Sequence, residues 1–368
     1  MIIKSIELQN FRNYEDLNIS FDEGTNILFG DNAQGKTNIL EAAYLSGTTK
    51  SHKGSKDKEM IRFGTNEAHL RTMVLKNGKQ YQIDMHLKHN RSKGIAVNKI
   101  PMKKASELFG ILNIVFFSPE DLNIIKNGPS ERRHFLDAEL CQLDKIYLSD
   151  LSNYNKILNQ RNKLLKDMVY RPELSDTLPV WDMQLADTGK KIIRRREQFV
   201  KELNEIVHEI HYRISGGREE LFLSYEPSVS ADLLEQELER VKPRDLKQCQ
   251  TSVGPHRDDL LFSIAGVDIR KFGSQGQQRT SALSLKLSEI ELVRKSIHDT
   301  PVLLLDDVLS ELDSNRQNYL LNSICDTQTI ITCTGLDEFI RNRFEINKVF
   351  EVISGQVFEK GQVIERQG

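Results

Sequence analysis

This chain of 368 residues has few cysteines, no long apolar run and almost no net charge. The four cysteines, Cys141, Cys249, Cys325 and Cys333, show neither paired metal-ligand spacing nor a disulfide framework, so they read as reduced thiols of a cytoplasmic protein. No stretch is apolar for long enough to cross a bilayer as a helix, which argues against a membrane protein. The opening Met-Ile-Ile-Lys-Ser-Ile-Glu-Leu alternates like a strand and lacks the unbroken apolar core of a signal peptide. There is no Gly/Ser linker, low-complexity tract or repeat. A formal charge of −2 supplies no global field for a polyanion, so any such contact must come from local patches.

What is present is one dense chemical signal. Thr25 to Phe29 reads as an apolar strand, and Gly30-Asp31-Asn32-Ala33-Gln34-Gly35-Lys36-Thr37 follows with the form G-x-x-x-x-G-K-[ST]. A helix-forming segment comes next. Gly30 and Gly35 let the backbone turn so that successive N–H groups converge on an anion. The helix beginning near Lys36 aims its positive end at the same place. Lys36 can reach terminal phosphates, and the Thr37 hydroxyl can ligate Mg²⁺. The loop from Gly30 to Thr37 is therefore the predicted nucleotide contact.

The remaining chain falls into three textures. Residues 1–118 read as strands, with Ile3, Ile6, Leu8 and Phe11 alternating first. Lys76-Asn77-Gly78-Lys79 is a hairpin signal between His69–Leu75 and Gln80–Leu87. After the first helix and before that hairpin, Thr49 to Lys58 carries five basic groups, counting His52. That segment is either a solvated loop or a phosphate-contacting loop for nucleic acid, with Lys53 and Lys56 as the candidate contacts. Residues 119–250 carry helical periodicity. Leu185, Ile192, Phe199, Leu203, Ile206 and Ile210 form a seam over Pro179–Ile214, and Asp144–Tyr170 supplies a second long helix. Arg194-Arg195-Arg196 on the longer helix is a solvated face or, at Arg195, a nucleic-acid contact. Strand-and-turn texture returns over 251–368, so two strand-rich halves flank a helical insertion.

Two further strings complete the chemistry. Val302 to Leu305 is a buried apolar strand that ends in Asp306 and Asp307. Asp306 is the expected carboxylate for Mg²⁺ beside Thr37, and Asp307 is placed to orient or deprotonate an attacking water. Ser274-Gln275-Gly276-Gln277 opens a long helix and forms a second anion cradle, or else simply caps that helix. One triphosphate needs only one cradle within a chain. Two facing copies would use both, the Ser274 cradle of one closing on the terminal phosphate held by the other.

These residues together resemble a known family. Gly30–Thr37, Ser274–Gln278, Leu303–Asp307 and Ser310-Glu311-Leu312-Asp313 resemble the Walker A, signature, Walker B and D-loop motifs of ABC-type ATPases. The opening Ile-Glu-Leu-Gln-Asn-Phe-Arg-Asn-Tyr is similar to the SMC-like chromosome and repair branch. Ser118-Pro119-Glu120-Asp121-Leu122, Gly128-Pro129-Ser130-Glu131-Arg132-Arg133-His134-Phe135-Leu136-Asp137 and Gly254-Pro255-His256-Arg257-Asp258-Asp259 resemble signatures of the bacterial RecF family.

The resemblance spans the chain and implies an α/β fold: an ABC-type P-loop ATPase head, 1–118 with 251–368, carrying a helical, coiled-coil-like arm over 119–250. It implies ATP and Mg²⁺ as ligands, with Lys36 and Asp307 in catalysis. It also implies an ATP-induced homodimer on double-stranded and gapped DNA that helps load RecA with RecR and RecO, and supports replication and the SOS response. Ser118 to Asp121 takes the place of the Q-loop. Two departures stand out. Asp307 replaces the usual catalytic Glu and is one methylene shorter, so the DNA-stimulated ATPase that the resemblance implies is expected to turn over slowly. Thr332-Cys333-Thr334 replaces the usual switch histidine. The rival readings are the nucleotide-binding subunit of an ABC transporter and a module that binds nucleotide without hydrolysing it.

Overall fold

The computed structural model describes residues 1–324, 326–336 and 346–360. They divide into two compact units, 1–121 with 289–368, and 122–288. Cys325 and the last eight residues of the expected head lie outside the described residues; Cys141, Cys249 and Cys333 form no disulfide with one another.

The first unit holds two six-stranded sheets. One is antiparallel, in the spatial order Tyr14–Ser20, Ile2–Phe11, Glu67–Lys76, Lys79–Lys88, Arg91–Val97 and Ile100–Pro101. Its Asn-Gly hairpin forms as the sequence predicts. Lys76 faces Lys79, and Asn77 and Gly78 both take the left-handed conformation of the tight turn. The second sheet runs Gln356–Lys360, Ile346–Ile353, Thr25–Phe29, Thr329–Cys333, Val302–Asp306 and Ile114–Phe117. All its pairings are parallel except the terminal hairpin. A parallel strand is covered on both faces, which is why Val302 to Leu305 is apolar without alternation. Leu303, Leu304 and Leu305 are fully covered, and burying each stabilises by about 1.5–3 kcal/mol. This order places the strand before the phosphate loop one strand away from the strand that delivers Asp306.

The second unit contains the two long helices, Lys145–Asp167 and Leu178–Ile214, joined through the short turn Pro172–Thr177. The longer has 37 residues, a length of about 55 Å. Leu185, Ile192, Phe199, Leu203 and Ile206 of the predicted seam are buried. Two features differ from the sequence expectation. Leu221–Glu226 is a strand inside the stretch read as helical, and it pairs antiparallel with Asp259–Ile264. Leu221 and Leu223 are buried while Phe222 and Ser224 are exposed, a period of two that long helices on either side obscured. Because of that pairing, residues 251–288 belong to the same compact unit as 122–250. The boundary expected near 250 falls instead inside the helix Gln275–Ile297.

Candidate nucleotide site

The phosphate loop is held in shape by groups from both ends of the chain. Asn13 Nδ2 donates to the Gln34 carbonyl at 2.9 Å, and the Tyr14 hydroxyl donates to the Gly35 carbonyl at 3.1 Å. Burial pushes the Tyr14 phenol up, so it stays a protonated donor. From the terminal hairpin, the Gly355 N–H reaches the Gln34 carbonyl at 3.1 Å and the Ser354 N–H reaches Gln34 Oε1 at 2.5 Å. These braces leave no room for side chains at the two glycines. A Cβ on Gly30 would lie 2.4 Å from the Val352 carbonyl oxygen, and one on Gly35 would lie 2.5 Å from Asn13 Nδ2. Both glycines also have positive φ, 146° and 117°.

Lys36 is buried, and its ammonium donates to the carbonyls of Gly30 at 2.5 Å and Asp31 at 2.8 Å. No carboxylate among the described residues pairs with it. A buried cation resting on neutral oxygens fits a loop that receives an anion. Thr37 opens the helix Lys36–Thr48, and its Oγ1 donates to Asp306 Oδ1 at 2.8 Å. The expected Mg²⁺ pair, 269 residues apart in sequence, therefore meets on one carboxylate oxygen. An all-oxygen hydroxyl and carboxylate set suits a hard cation.

Thr332 is the residue that sequence reasoning left without a positive role. It faces Asp306 in register on the strand between the loop strand and the Asp306 strand. Its hydroxyl donates to Asp306 Oδ1 at 2.7 Å and accepts the Asp307 N–H at 3.0 Å. Asp307 adopts φ 57°, an uncommon left-handed conformation, and its carbonyl accepts from Ser310 Oγ at 2.9 Å. So Thr332 aligns both acids. A threonine in the middle of an apolar strand, Thr329–Cys333, was the available signal.

The Ser274 loop is exposed at Ser274, Gln275 and Gly276 within its own unit. It also caps its helix. Ser274 Oγ accepts the Gln277 N–H at 3.2 Å while Gln277 Oε1 accepts the Ser274 N–H at 2.9 Å, a reciprocal capping box. Gln277 Nε2 donates to Glu219 Oε1 at 3.0 Å. The other oxygen of Glu219 lies 3.6 Å from Nε2 of the buried His211, whose Nδ1 meets Ser284 Oγ at 3.0 Å. The loop is thus fixed to the last turn of the longest helix.

The basic loop is anchored by an internal clamp. Arg12 grips both oxygens of Glu41 at 2.7 Å and also reaches Ser55 Oγ at 2.8 Å, while Ser51 Oγ donates to Glu41 as well. Burial pushes the Glu41 carboxyl up, but the hydrogen bonds from Arg12 and Ser51 outweigh it and hold the group below the usual carboxylate range. Lys53 and Lys56 remain exposed. His52, counted among the basic groups, is not a cation here. It stacks on Phe116 with ring centroids 4.1 Å apart, and burial pulls its imidazole down to about 4.

Arg195, expected as a nucleic-acid contact, has an acid partner of its own. Its Nε lies 3.0 Å from Asp144 Oδ2, and Asp144 caps the helix Lys145–Asp167 through the N–H groups of Ile146 and Tyr147. The two family-like strings around Arg132 and Asp258 meet in the same unit. Arg132 pairs with Asp259 at 2.5 Å, and Arg133 donates to the Asp258 carbonyl at 2.7 Å. They brace the helix Pro129–Leu143 against the strand Asp259–Ile264.

Comparison with known proteins agrees with this geometry. A family model described as RecF/RecN/SMC N terminal domain matches residues 2–356. The DNA replication and repair protein RecF of Agathobacter rectalis is 74% identical over 97% of this chain and 99% of its own length. The chain belongs to the RecF family. RecF of Lachnospira eligens is 63% identical over 97% of this chain and 99% of its own length. Among solved structures, the recombination mediator RecF with ATP, of the RecFOR pathway, superposes with a TM-score of 0.92 at 38% identity. That match covers 98% of this chain and 97% of the RecF structure. An Smc head bound to the winged-helix domain of ScpA shares the fold at 17% identity and a TM-score of 0.58, covering 100% of this chain and 99% of its own. The expected ABC-type, SMC-like ATPase fold is borne out. No helix among the described residues is long and apolar enough to cross a membrane.

Proposed function

We propose that this chain is an ATP-dependent DNA-binding switch of recombinational gap repair, working as a slow, DNA-stimulated ATPase. The observation that carries the reading is the 2.8 Å contact between Thr37 Oγ1 and Asp306 Oδ1, which brings together the hydroxyl and carboxylate that would hold Mg²⁺ beside the phosphate loop. Two RecF relatives named for DNA replication and repair support it, as does a separate recombination mediator RecF solved with ATP. The same relatives count against the transporter reading.

In this proposal Lys36 exchanges the Gly30 and Asp31 carbonyls for phosphate oxygens, and the backbone from Gly30 to Thr37 supplies N–H donors. Thr37 and Asp306 would hold Mg²⁺, whose charge offsets that of the phosphates. Thr332 keeps Asp306 and Asp307 in register, and Asp307 orients a water and accepts its proton. Asp307 is one methylene shorter than glutamate, which is consistent with slow turnover. The Ser274–Gln277 loop, exposed at Ser274, Gln275 and Gly276, closes on the nucleotide of a second copy, and the resulting homodimer encloses double-stranded or gapped DNA. Lys53 and Lys56 contact the DNA backbone. RecR, RecO and RecA are the partners of this cytoplasmic cycle.

Sedimentation with and without ATP, in Mg²⁺ and DNA, tests it. Ser274→Arg is expected to bind ATP and stay monomeric; normal ATP-driven dimerisation of that variant would sink the two-cradle reading. Asp307→Asn is expected to bind ATP and lose turnover. Unchanged turnover would instead favour a module whose hydrolysis does not depend on this acid.

A further inference from the structure

The antiparallel sheet carries a cluster that the nucleotide chemistry does not use. His69 and His86 face each other in register across the Glu67–Lys76 and Lys79–Lys88 pair. Their rings stack with centroids 3.9 Å apart and planes 26° apart. Glu67 sits two residues before His69, so strand periodicity puts it on the same face. Its Oε2 lies 3.0 Å from His86 Nε2, and its Oε1 lies 3.9 Å from His69 Nε2. One ligand atom from each of the three groups falls within 4.8 Å of the others. All three side chains are reachable from water, with 48%, 46% and 31% of their surface exposed for Glu67, His69 and His86. The two histidines line a cleft of about 530 Å³ whose walls add Glu7, Asp16 and Asp84.

We propose that Glu67, His69 and His86 form a binding site for one divalent transition-metal ion of the zinc class. Two imidazole nitrogens and one carboxylate oxygen make a mixed donor set. Such a set suits zinc, copper or nickel, whereas magnesium takes oxygens alone. The site is thus chemically distinct from the Thr37 and Asp306 pair. Metal bonds of about 2.0–2.2 Å in tetrahedral geometry hold neighbouring ligand atoms about 3.3 Å apart. The 3.0 Å separation of His86 from Glu67 Oε2 and the 3.9 Å separation of His69 from Glu67 Oε1 lie on either side of that value. Both Nε2 atoms face the same carboxylate, one toward each oxygen, so binding calls for side-chain rotation that turns the two rings and one oxygen onto a common ion. Three protein ligands leave the fourth position to water.

Lys88 is the built-in competitor. Its ammonium lies 3.3 Å from Glu67 Oε2, and a bound cation would displace it. A metal there also ties two neighbouring strands together, and a ligand that binds only the folded state raises stability.

Calorimetric titration of the full chain with Zn²⁺, in excess Mg²⁺ to fill the oxygen-only site, tests this. One Zn²⁺ per chain is expected, with a rise in thermal midpoint. Replacing either histidine by glutamine should weaken binding at least about tenfold. The His69→Gln, His86→Gln double variant should lose both binding and the thermal shift, while keeping Mg²⁺-ATP turnover as evidence of folding. Lys88→Met should bind more tightly than the wild type. X-ray absorption of the zinc form should show two imidazoles and no sulfur. No binding by the wild type, unchanged binding by the double variant or by Lys88→Met, or a thiolate ligand would each overturn the proposal.

Discussion

The nucleotide end of the first unit and the interior of the second are held by opposite kinds of contact. At the nucleotide end, Lys36 rests on two carbonyl oxygens, and Thr37, Thr332 and Asp306 share hydroxyl hydrogen bonds. In the second unit Arg132, Arg161 and Arg196 are among the largest fully buried side chains. Arg161 pairs with Asp182 at 2.6 Å and Asp245 at 2.8 Å; Arg196 pairs with Asp137 at 2.8 Å and Asp258 at 3.3 Å. Neutral oxygens around a cation can be exchanged for phosphate. Buried charge pairs cannot be opened without stranding a charge. One region is therefore made for exchange and the other for keeping its geometry while exchange occurs.

The largest effect expected from that contrast is at Arg196. Arg196→Met leaves Asp137 and Asp258 without their counter-charge and should lower stability by about 3–5 kcal/mol. Urea unfolding of the two proteins measures it. A loss under about 1 kcal/mol, the size expected of a surface pair, would erase the distinction between the two regions.

Next in size is an acid response that the regions share. Burial pulls both His52, in the first unit, and His256, in the second, down to about 4. An unfolded histidine takes its proton near pH 6.5, so the unfolded chain binds more protons between about pH 6.5 and pH 4. Stability then falls with acid through that window by about 1.4 kcal/mol per pH unit for each histidine. His256→Gln and His52→Gln should each flatten the acid limb of the stability profile by that slope. A limb as steep as that of the wild type in either variant would show that the corresponding imidazole is protonated in the folded protein.

How far the sequence could be read follows the same division. Gly30 to Thr37 and Asp306 were legible because the chemistry fixes residue type at fixed spacing. The braces around them were not. Asn13 and Tyr14 reach the loop groups they hold from 21 residues before them, and Ser354 and Gly355 from more than 300 residues after them. No local pattern encodes such a meeting. The helical seam of the longest helix was legible from its heptads, whereas Leu221–Glu226 is too short to outweigh the helices flanking it. Its pairing with Asp259–Ile264 moved the unit boundary to 288. The sequence leaves Arg195 open as a solvated group or a nucleic-acid contact because its partner Asp144 lies 51 residues away.

A smaller effect sharpens the exchangeable side. Thr332→Val removes a hydroxyl that serves both acids, and losing its two hydrogen bonds costs about 1–3 kcal/mol. Misalignment worth about 1.4 kcal/mol in the transition state lowers turnover about tenfold. Steady-state ATPase assays should show that drop with ATP affinity little changed, since Lys36 and the loop are untouched. A variant that loses affinity and keeps turnover would assign Thr332 to holding the loop.

The smallest effect separates a brace from a DNA-binding group. The Arg195–Asp144 pair is partly exposed, at 30% and 24% of their side-chain surface, and such pairs contribute about 1 kcal/mol or less. Arg195→Gln should therefore cost little stability. Because its guanidinium is already committed to Asp144, it should also leave the salt dependence of duplex binding as it was. Lys53→Gln and Lys56→Gln are different. Each ammonium is exposed on an anchored loop, and removing one cation from a DNA phosphate lowers the slope of log affinity against log salt by about one. Filter binding across a salt series gives all three slopes in one experiment. If Arg195→Gln flattens the slope as much as the lysine variants do, the arm helix takes part in holding DNA, and the line between exchanging and fixed regions must be redrawn through the second unit.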